Sequence, residues 1–191
     1  MSGAHDEIEV KARVEAPDAV RRSLLDAGAE LVYRGRMLDR RLDRKGRFEA
    51  RDEAVRLRVY RPDDGARAWG VLTWKGPVRR HGEYRHREEW ESRVDDPRAV
   101  LHVLRRVGLR IALRIDQTIE QYRLGESVVR LEWFPAMDVL VEVEGPPAAI
   151  ERAIAATGMP RDAFLPESLP YFERAYEERT GRRARVAGRA E

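Results

Sequence analysis

The chain of 191 residues contains no cysteine, which excludes disulfides, zinc–thiolate sites and thiol nucleophiles. Lysine is almost as scarce: Lys11, Lys45 and Lys75 are the only ones, against 34 arginines. A lysine kept in so arginine-biased a chain is informative, because its compact ammonium is not equivalent to a guanidinium fork. No apolar run approaches a membrane span, and the opening MSGAHDEIEV lacks the apolar core of a signal peptide. The expectation is a soluble, cytoplasmic protein with no membrane partner. P-loop, GxSxG and HExxH motifs are also missing. Net charge is only +3, since 34 acidic residues oppose 37 basic ones, and this balance argues against a nucleic-acid coat. The sequence leaves a homodimer open.

What the chain has in excess is charge, 37% of residues against the usual quarter. Alternation predicts strands over 5–14, 30–43, 54–61, 66–75, 83–94, 109–124, 127–134 and 138–144. Helices are expected over 17–27, 96–107, 148–156 and 171–179. The stretch 44–53 reads as a polar loop, and 76–82 as a flexible connection. One domain over 1–180 is predicted, followed by an Arg-rich tail, 181–191, whose composition suggests disorder. Eight sequential antiparallel strands with four helices give an α+β fold, a closed eight-stranded antiparallel β-barrel with helices packed outside.

Charge and apolarity occupy opposite strand faces. Glu7, Glu9 and Lys11 share one face, as do Arg56 with Arg58, Arg87 with Glu89 and Glu91, and Glu142 with Glu144. Lys75 lies opposite Trp74 and Leu72, and Glu132 is flanked by Leu131 and Trp133. A half-buried sheet with its polar face in water would explain any one strand. Two details favour a charged interior. These faces hold almost no Thr, Ser or Gln, and acids gather in the first and last strands while bases gather in the middle ones. Such an interior is tolerable only if wet and ligand-filled. Carboxylates two residues apart suit hard cations such as Mg²⁺ or Mn²⁺, and Arg and Lys suit phosphate oxygens. A metal with a polyphosphate needs both sets.

Glu-Ile-Glu-Val-Lys at Glu7–Lys11 resembles the ExExK signature of the CYTH, or triphosphate tunnel metalloenzyme, superfamily. The likeness continues through Leu57–Val59, Thr73–Pro77, Arg87–Glu91 and Val141–Gly145. It implies an eight-stranded tunnel binding ATP, tripolyphosphate or thiamine triphosphate with Mg²⁺ or Mn²⁺. Class IV adenylate cyclase is the nearest activity; inorganic or thiamine triphosphatase, or a non-catalytic polyphosphate or nucleotide binder, are the alternatives. By motif match, Glu7, Glu9, Glu142 and Glu144 are metal carboxylates, with Glu132 where the family often has Asp. Lys11, Arg56, Arg58, Lys75 and Arg87 are phosphate grips, and Lys11 and Lys75 are the catalytic candidates. The chain departs from the pattern twice. Gln117 and Ile119 stand where cyclase-like members carry a basic pair, with Arg114 and Arg123 as nearby substitutes. Arg41-Leu42-Asp43 stands for Tyr-Phe-Asp.

Overall fold

The computed structural model describes residues 4–81 and 83–188. Nine strands form one antiparallel sheet: β1 (Ala4–Val14), β2 (Glu30–Asp43), β3 (Ala54–Pro62), β4 (Trp69–Lys75), β5 (Arg79–His81), β6 (Tyr84–Val94), β7 (Arg110–Leu124), β8 (Ser127–Trp133) and β9 (Val139–Glu144). Eight of them close in the order β1-β9-β8-β7-β2-β3-β4-β6, with β6 returning to β1. The closing register sets Glu7 against Arg87 and Glu9 against Arg85, while the other half of β6 sets Glu89 against Lys75 of β4. β5 is the one strand not expected; it pairs with the start of β6, inside the connection read as flexible. Closure leaves the eight strands with no unpaired edge over most of their length.

Strand alternation sends one side chain in two outward, and those are the apolar ones. Val10, Ala12 and Val14 of β1, Tyr122 of β7, Val129 and Leu131 of β8, and Val141 and Val143 of β9 form one buried cluster with α1 (Pro17–Asp26) and α3 (Pro147–Thr157). Both helices begin on a proline, whose missing N–H costs nothing in the first turn. A second cluster lies at one end of the barrel, where Ile115 and Leu140, on the inner-face parity of Gln117 and Glu142, meet Leu169 and Phe172 of α4 (Leu169–Thr180). The barrel is therefore inside-out, with its apolar surface between sheet and helices and its polar surface around the axis.

α2 (Pro97–Arg106) is the weakly covered helix. Asp96 caps it, accepting the Ala99 N–H at 2.9 Å, and Gly70 makes room for its first residue: a Cβ there would lie 2.8 Å from Pro97 Cγ. The expected apolar stripe is present, yet none of its side chains is fully buried, and Val103 and Val107 are each 61% exposed.

The expectation of disorder from 181 onward is corrected over 181–188. Asp116 N–H donates to the Val186 carbonyl at 2.7 Å, Ala136 and Arg185 exchange backbone hydrogen bonds, and Gly188 N–H reaches Asp116 Oδ2 at 2.8 Å. Val186 also packs on the Ile115–Phe172 cluster. Backbone pairing holds this segment where its composition would not. The last three residues of the expected tail lie outside the described residues.

One polar cluster ties α1 to the barrel. Glu120, on the outer face of β7, accepts from Arg21 Nε at 2.8 Å, Arg21 Nη2 at 2.9 Å and Tyr122 Oη at 2.8 Å, and pairs with Arg34 at 3.0 Å. Burial alone would raise this carboxyl, but hydrogen bonds from Arg21 and Tyr122 and the charges of Arg21 and Arg34 hold it below its ordinary 4.5. A depressed pKa stabilises the fold above the unfolded value, and that contribution is lost as pH falls through the folded value. Glu120→Gln is expected to cost about 1–3 kcal/mol at pH 7 and to flatten the loss of stability below pH 4.5. Urea denaturation of both proteins across pH 3–7 checks this, and parallel pH profiles would contradict it.

Candidate functional site

The inner strand faces enclose a cavity of about 510 Å³. Its wall includes Glu9, Lys11, Arg56, Arg58, Lys75, Arg87, Glu132 and Glu142, eight of the ten expected site residues. Glu7 is buried on the same face of β1 but, like Glu144, is not part of that wall. The mouth is bordered by Phe48, Glu49 and Asp52 of the β2–β3 connection and by Ser168–Pro170 at the start of α4. Sequence alternation thus brings charges from β1, β2, β3, β4, β6, β8 and β9 around one axis.

These charges neutralise one another. Lys11 pairs with Glu142 across the β1–β9 ladder and lies 3.5 Å from Glu9. Arg85 meets Glu9 at 2.6 Å, Lys75 bonds Glu7 and lies 3.3 Å from Glu89, and Arg56 meets Glu89 at 2.9 Å. Arg58 reaches Asp39 at 3.3 Å, and Arg130 bonds Glu142. Arg87 instead donates to the backbone carbonyls of Gly76 and Asp52, which fixes its guanidinium at the cavity edge. Burial would raise the Glu9 carboxyl, yet Lys11, Lys75 and Arg85 hold it well below the usual range. Lys75 moves the other way. Burial and Arg56 depress its pKa against the pull of Glu7, Glu89 and Glu9.

Among the described residues, no three His, Asp or Glu side chains are gathered closely enough to hold an ion as they stand. The donor set nevertheless fits a hard divalent cation. It is entirely carboxylate oxygen, Glu9 faces Glu144 directly across the β1–β9 ladder, and Glu7 Oε2 is buried without a partner. Burial and the nearby charge of Glu7 push the Glu144 carboxyl upward, with Glu9 adding to the effect. Such crowding of carboxylates is what a bound cation relieves.

The missing basic pair is resolved by position. Gln117 lines the cavity and Ile119 is fully buried on the same inner face, inside an apolar cluster with Met37 and Tyr60. Trp69 stacks on Tyr60 at 4.2 Å, and the Arg93 guanidinium covers Trp69 at 4.7 Å. Arg114 and Arg123 do not substitute, since both are exposed and Arg123 pairs with Glu30 at the surface. Two cations outside the expected set also line the wall: Arg41, at the position where the resemblance implies a tyrosine, and Arg85 of β6. Burial depresses the Arg41 pKa, as do Arg56, Arg58 and Arg85, with Asp39 opposing them. Arg41, Arg85, Arg130 and Asp39 were absent from the sequence-based set. Arg85 shares the parity of Arg87 and was legible; Arg41, beside Arg40 in a strand with no clean alternation, was not.

The CYTH domain family model matches residues 5–151. A search of curated proteins finds no match. Among solved structures, a protein of Vibrio parahaemolyticus provisionally designated an adenylate cyclase superposes with a TM-score of 0.72 at 15% identity, covering 87% of this chain and 96% of that one. PH1819 of Pyrococcus horikoshii gives 0.69 at 23% identity over 90% and 99% of the two chains. HpAC1 of Hippeastrum, regarded as an adenylyl cyclase and found to have a dominant triphosphatase activity, gives 0.60 at 19% identity over 93% and 97%.

Placing a cation at position 119, where the resemblance points to one, is expected to fail for a physical reason. Ile119→Arg buries an unpaired guanidinium among Met37, Tyr60 and Trp69, at a cost of roughly 3 kcal/mol or more. Urea denaturation should show a lowered midpoint; an unchanged midpoint would mean the apolar cluster is not packed as described.

Proposed function

Since this chain belongs to the CYTH domain family, we propose that its charged interior binds a triphosphate with Mg²⁺ or Mn²⁺ and acts on it as an enzyme, nearest to a class IV adenylate cyclase. The observation that carries this reading is the buried wall of carboxylates on β1, β8 and β9 facing cations from β2, β3, β4 and β6. The family is metal-dependent and binds triphosphates in general. We take 1–180 as one tunnel domain, with a cytoplasmic location where nucleotide and metal are available. No helix among the described residues is long and apolar enough to cross a membrane.

Glu7, Glu9 and Glu144 would hold the metal, with Glu132 and Glu142 adjoining. When bound, the ion supplies charge neutralisation and polarises phosphoryl oxygens. Lys11, Lys75, Arg56 and Arg58 grip phosphate oxygens, and Arg41 and Arg87 extend the grip toward the mouth. Lys11 and Lys75 are the groups placed to stabilise charge that builds up during reaction. In cyclisation the ribose 3′-oxygen bonds to the α-phosphorus as the bond from that phosphorus to the bridging oxygen breaks, and the hydroxyl proton passes to water or to the departing pyrophosphate. The site contributes position and field rather than a covalent intermediate. Hydrolysis of the terminal phosphate uses the same grip with water as nucleophile, and the triphosphatase activity of HpAC1 supports it as the second reading. Product analysis after incubation with ATP separates cyclic AMP and pyrophosphate from ADP and phosphate.

Two binding outcomes test the assignment. Glu7→Gln combined with Glu9→Gln is expected to abolish the metal-dependent part of tripolyphosphate binding in calorimetry, with the circular dichroism spectrum unchanged. Undiminished metal-dependent affinity in that folded variant would refute the metal site. Arg41→Gln removes a charged donor worth about 1.5–3 kcal/mol, so tripolyphosphate affinity should fall roughly ten- to hundredfold. Equal affinities would remove Arg41 from the phosphate grip.

A further inference from the structure

Two oxygen atoms in the cavity wall are buried without a hydrogen-bond partner: Asp39 Oδ1 and Gln117 Oε1. Asp39 is 3% exposed and Gln117 7%. They belong to adjacent strands, where Met37 opposes Gln117 and Asp39 opposes Ile115, so the two are diagonal neighbours on the inner face. The other Asp39 oxygen is engaged by Arg58 at 3.3 Å. Burial would raise the Asp39 carboxyl, but Arg58, Arg56 and Arg41 hold it below its usual range, so the free oxygen belongs to a carboxylate.

A buried acceptor without a donor is costly; a cation could satisfy it as at Glu7, but here Arg58 already neutralises Asp39 and the neighbour is a neutral amide oxygen, so an N–H or O–H is the fitting partner. An ionised phosphate cannot supply one, because its oxygens would meet these lone pairs with their own. Beyond the pair the interior turns apolar, through Met37, Tyr60 and Ile119. Of the phosphate-gripping cations, Lys11 and Lys75 come from β1 and β4, away from the β2–β7 ladder, while Arg58 and Arg41 flank Asp39 and mark the near edge of the phosphate site. Size agrees with this division. Tripolyphosphate occupies on the order of 300 Å³ if each oxygen takes about 30 Å³ as in water, which leaves much of the 510 Å³ cavity unfilled.

Resting on the triphosphate reading above, we propose that Asp39 and Gln117 form a recognition subsite for the organic end of a triphosphate ester, accepting hydrogen bonds from its hydroxyl or amino groups. The substrate class this selects is a nucleoside triphosphate rather than inorganic tripolyphosphate. Gln117 is then a specificity residue, in a position where a cation would have favoured phosphate.

The test compares three probes by calorimetry on the full chain with Mg²⁺: tripolyphosphate, methyl triphosphate, which carries no donor, and the ATP analogue with a methylene between the α- and β-phosphorus. The wild type should bind the nucleotide at least tenfold more tightly than methyl triphosphate. Gln117→Leu should weaken the nucleotide at least tenfold and change the two donor-free probes by less than twofold. Asp39→Asn should weaken the nucleotide at least tenfold relative to methyl triphosphate, any change common to the three probes reflecting release of Arg58 from its carboxylate partner, and a thermal melt establishes that each variant is folded. Equal losses for all three probes, or no loss for the nucleotide in either folded variant, would overturn the subsite while leaving the triphosphate reading intact. A crystal structure of the nucleotide complex with only water on Asp39 and Gln117 would overturn it as well. A wild type that binds none of the three removes the triphosphate reading, and the subsite with it.

Discussion

A charge turned into the barrel must find its counter-charge inside the barrel, and the remaining architecture follows from that constraint. An isolated buried ion is prohibitive, so Lys11 lies on Glu142, Lys75 on Glu7, Arg56 on Glu89 and Arg58 on Asp39. Arg58 and Asp39 face each other within the β2–β3 hairpin, whereas Lys11–Glu142 and Lys75–Glu7 join strands far apart in sequence. The Lys75–Glu7 pair, from β4 to β1, is made across the seam that closes when β6 returns to β1. Because the polar faces then point inward, the apolar faces need cover from outside. α1 and α3 supply it over Val10, Val129, Leu131 and Val141.

Under the proposed function the same pairs set how ligands load. Lys75 and Arg85 sit on the carboxylates assigned to metal, so a metal that takes Glu7 and Glu9 frees two cations, and a polyphosphate that takes those cations frees two carboxylates. Metal and polyphosphate are thereby linked through shared partners, and linkage of this kind is reciprocal. It also accounts for carboxylates of the right type that are not drawn together while the lysines and arginines hold them.

Legibility in the sequence tracked the period-two pattern. Where charge and apolarity alternate cleanly, as over Glu7–Lys11 or Val141–Glu144, face, strand and site residue all followed. β2 hides its face because Met37 and Leu38, then Arg40 and Arg41, are neighbours of one kind; only pairing with β3, which sets Arg41 against Arg56, shows which of them turns inward. The apolar cluster at Ile119 was hidden for the opposite reason. It breaks the rule of a charged interior, and nothing local to β7 announces that Met37, Tyr60 and Trp69 arrive beside it. Residues 181–188 escaped because composition reports on side chains, whereas backbone bonds to Asp116 and Ala136 hold the segment.

The preference for arginine has a consequence for how steady the interior field is. A guanidinium keeps its proton at any pH a protein survives, so Arg41, Arg56, Arg58, Arg85, Arg87 and Arg130 form a permanent positive lattice. Lys75 differs, since burial and the charge of Arg56 depress its pKa and its ammonium can give up a proton. It therefore acts as an adjustable site in that fixed electrostatic scaffold, and a rise in alkalinity reaches the interior through it.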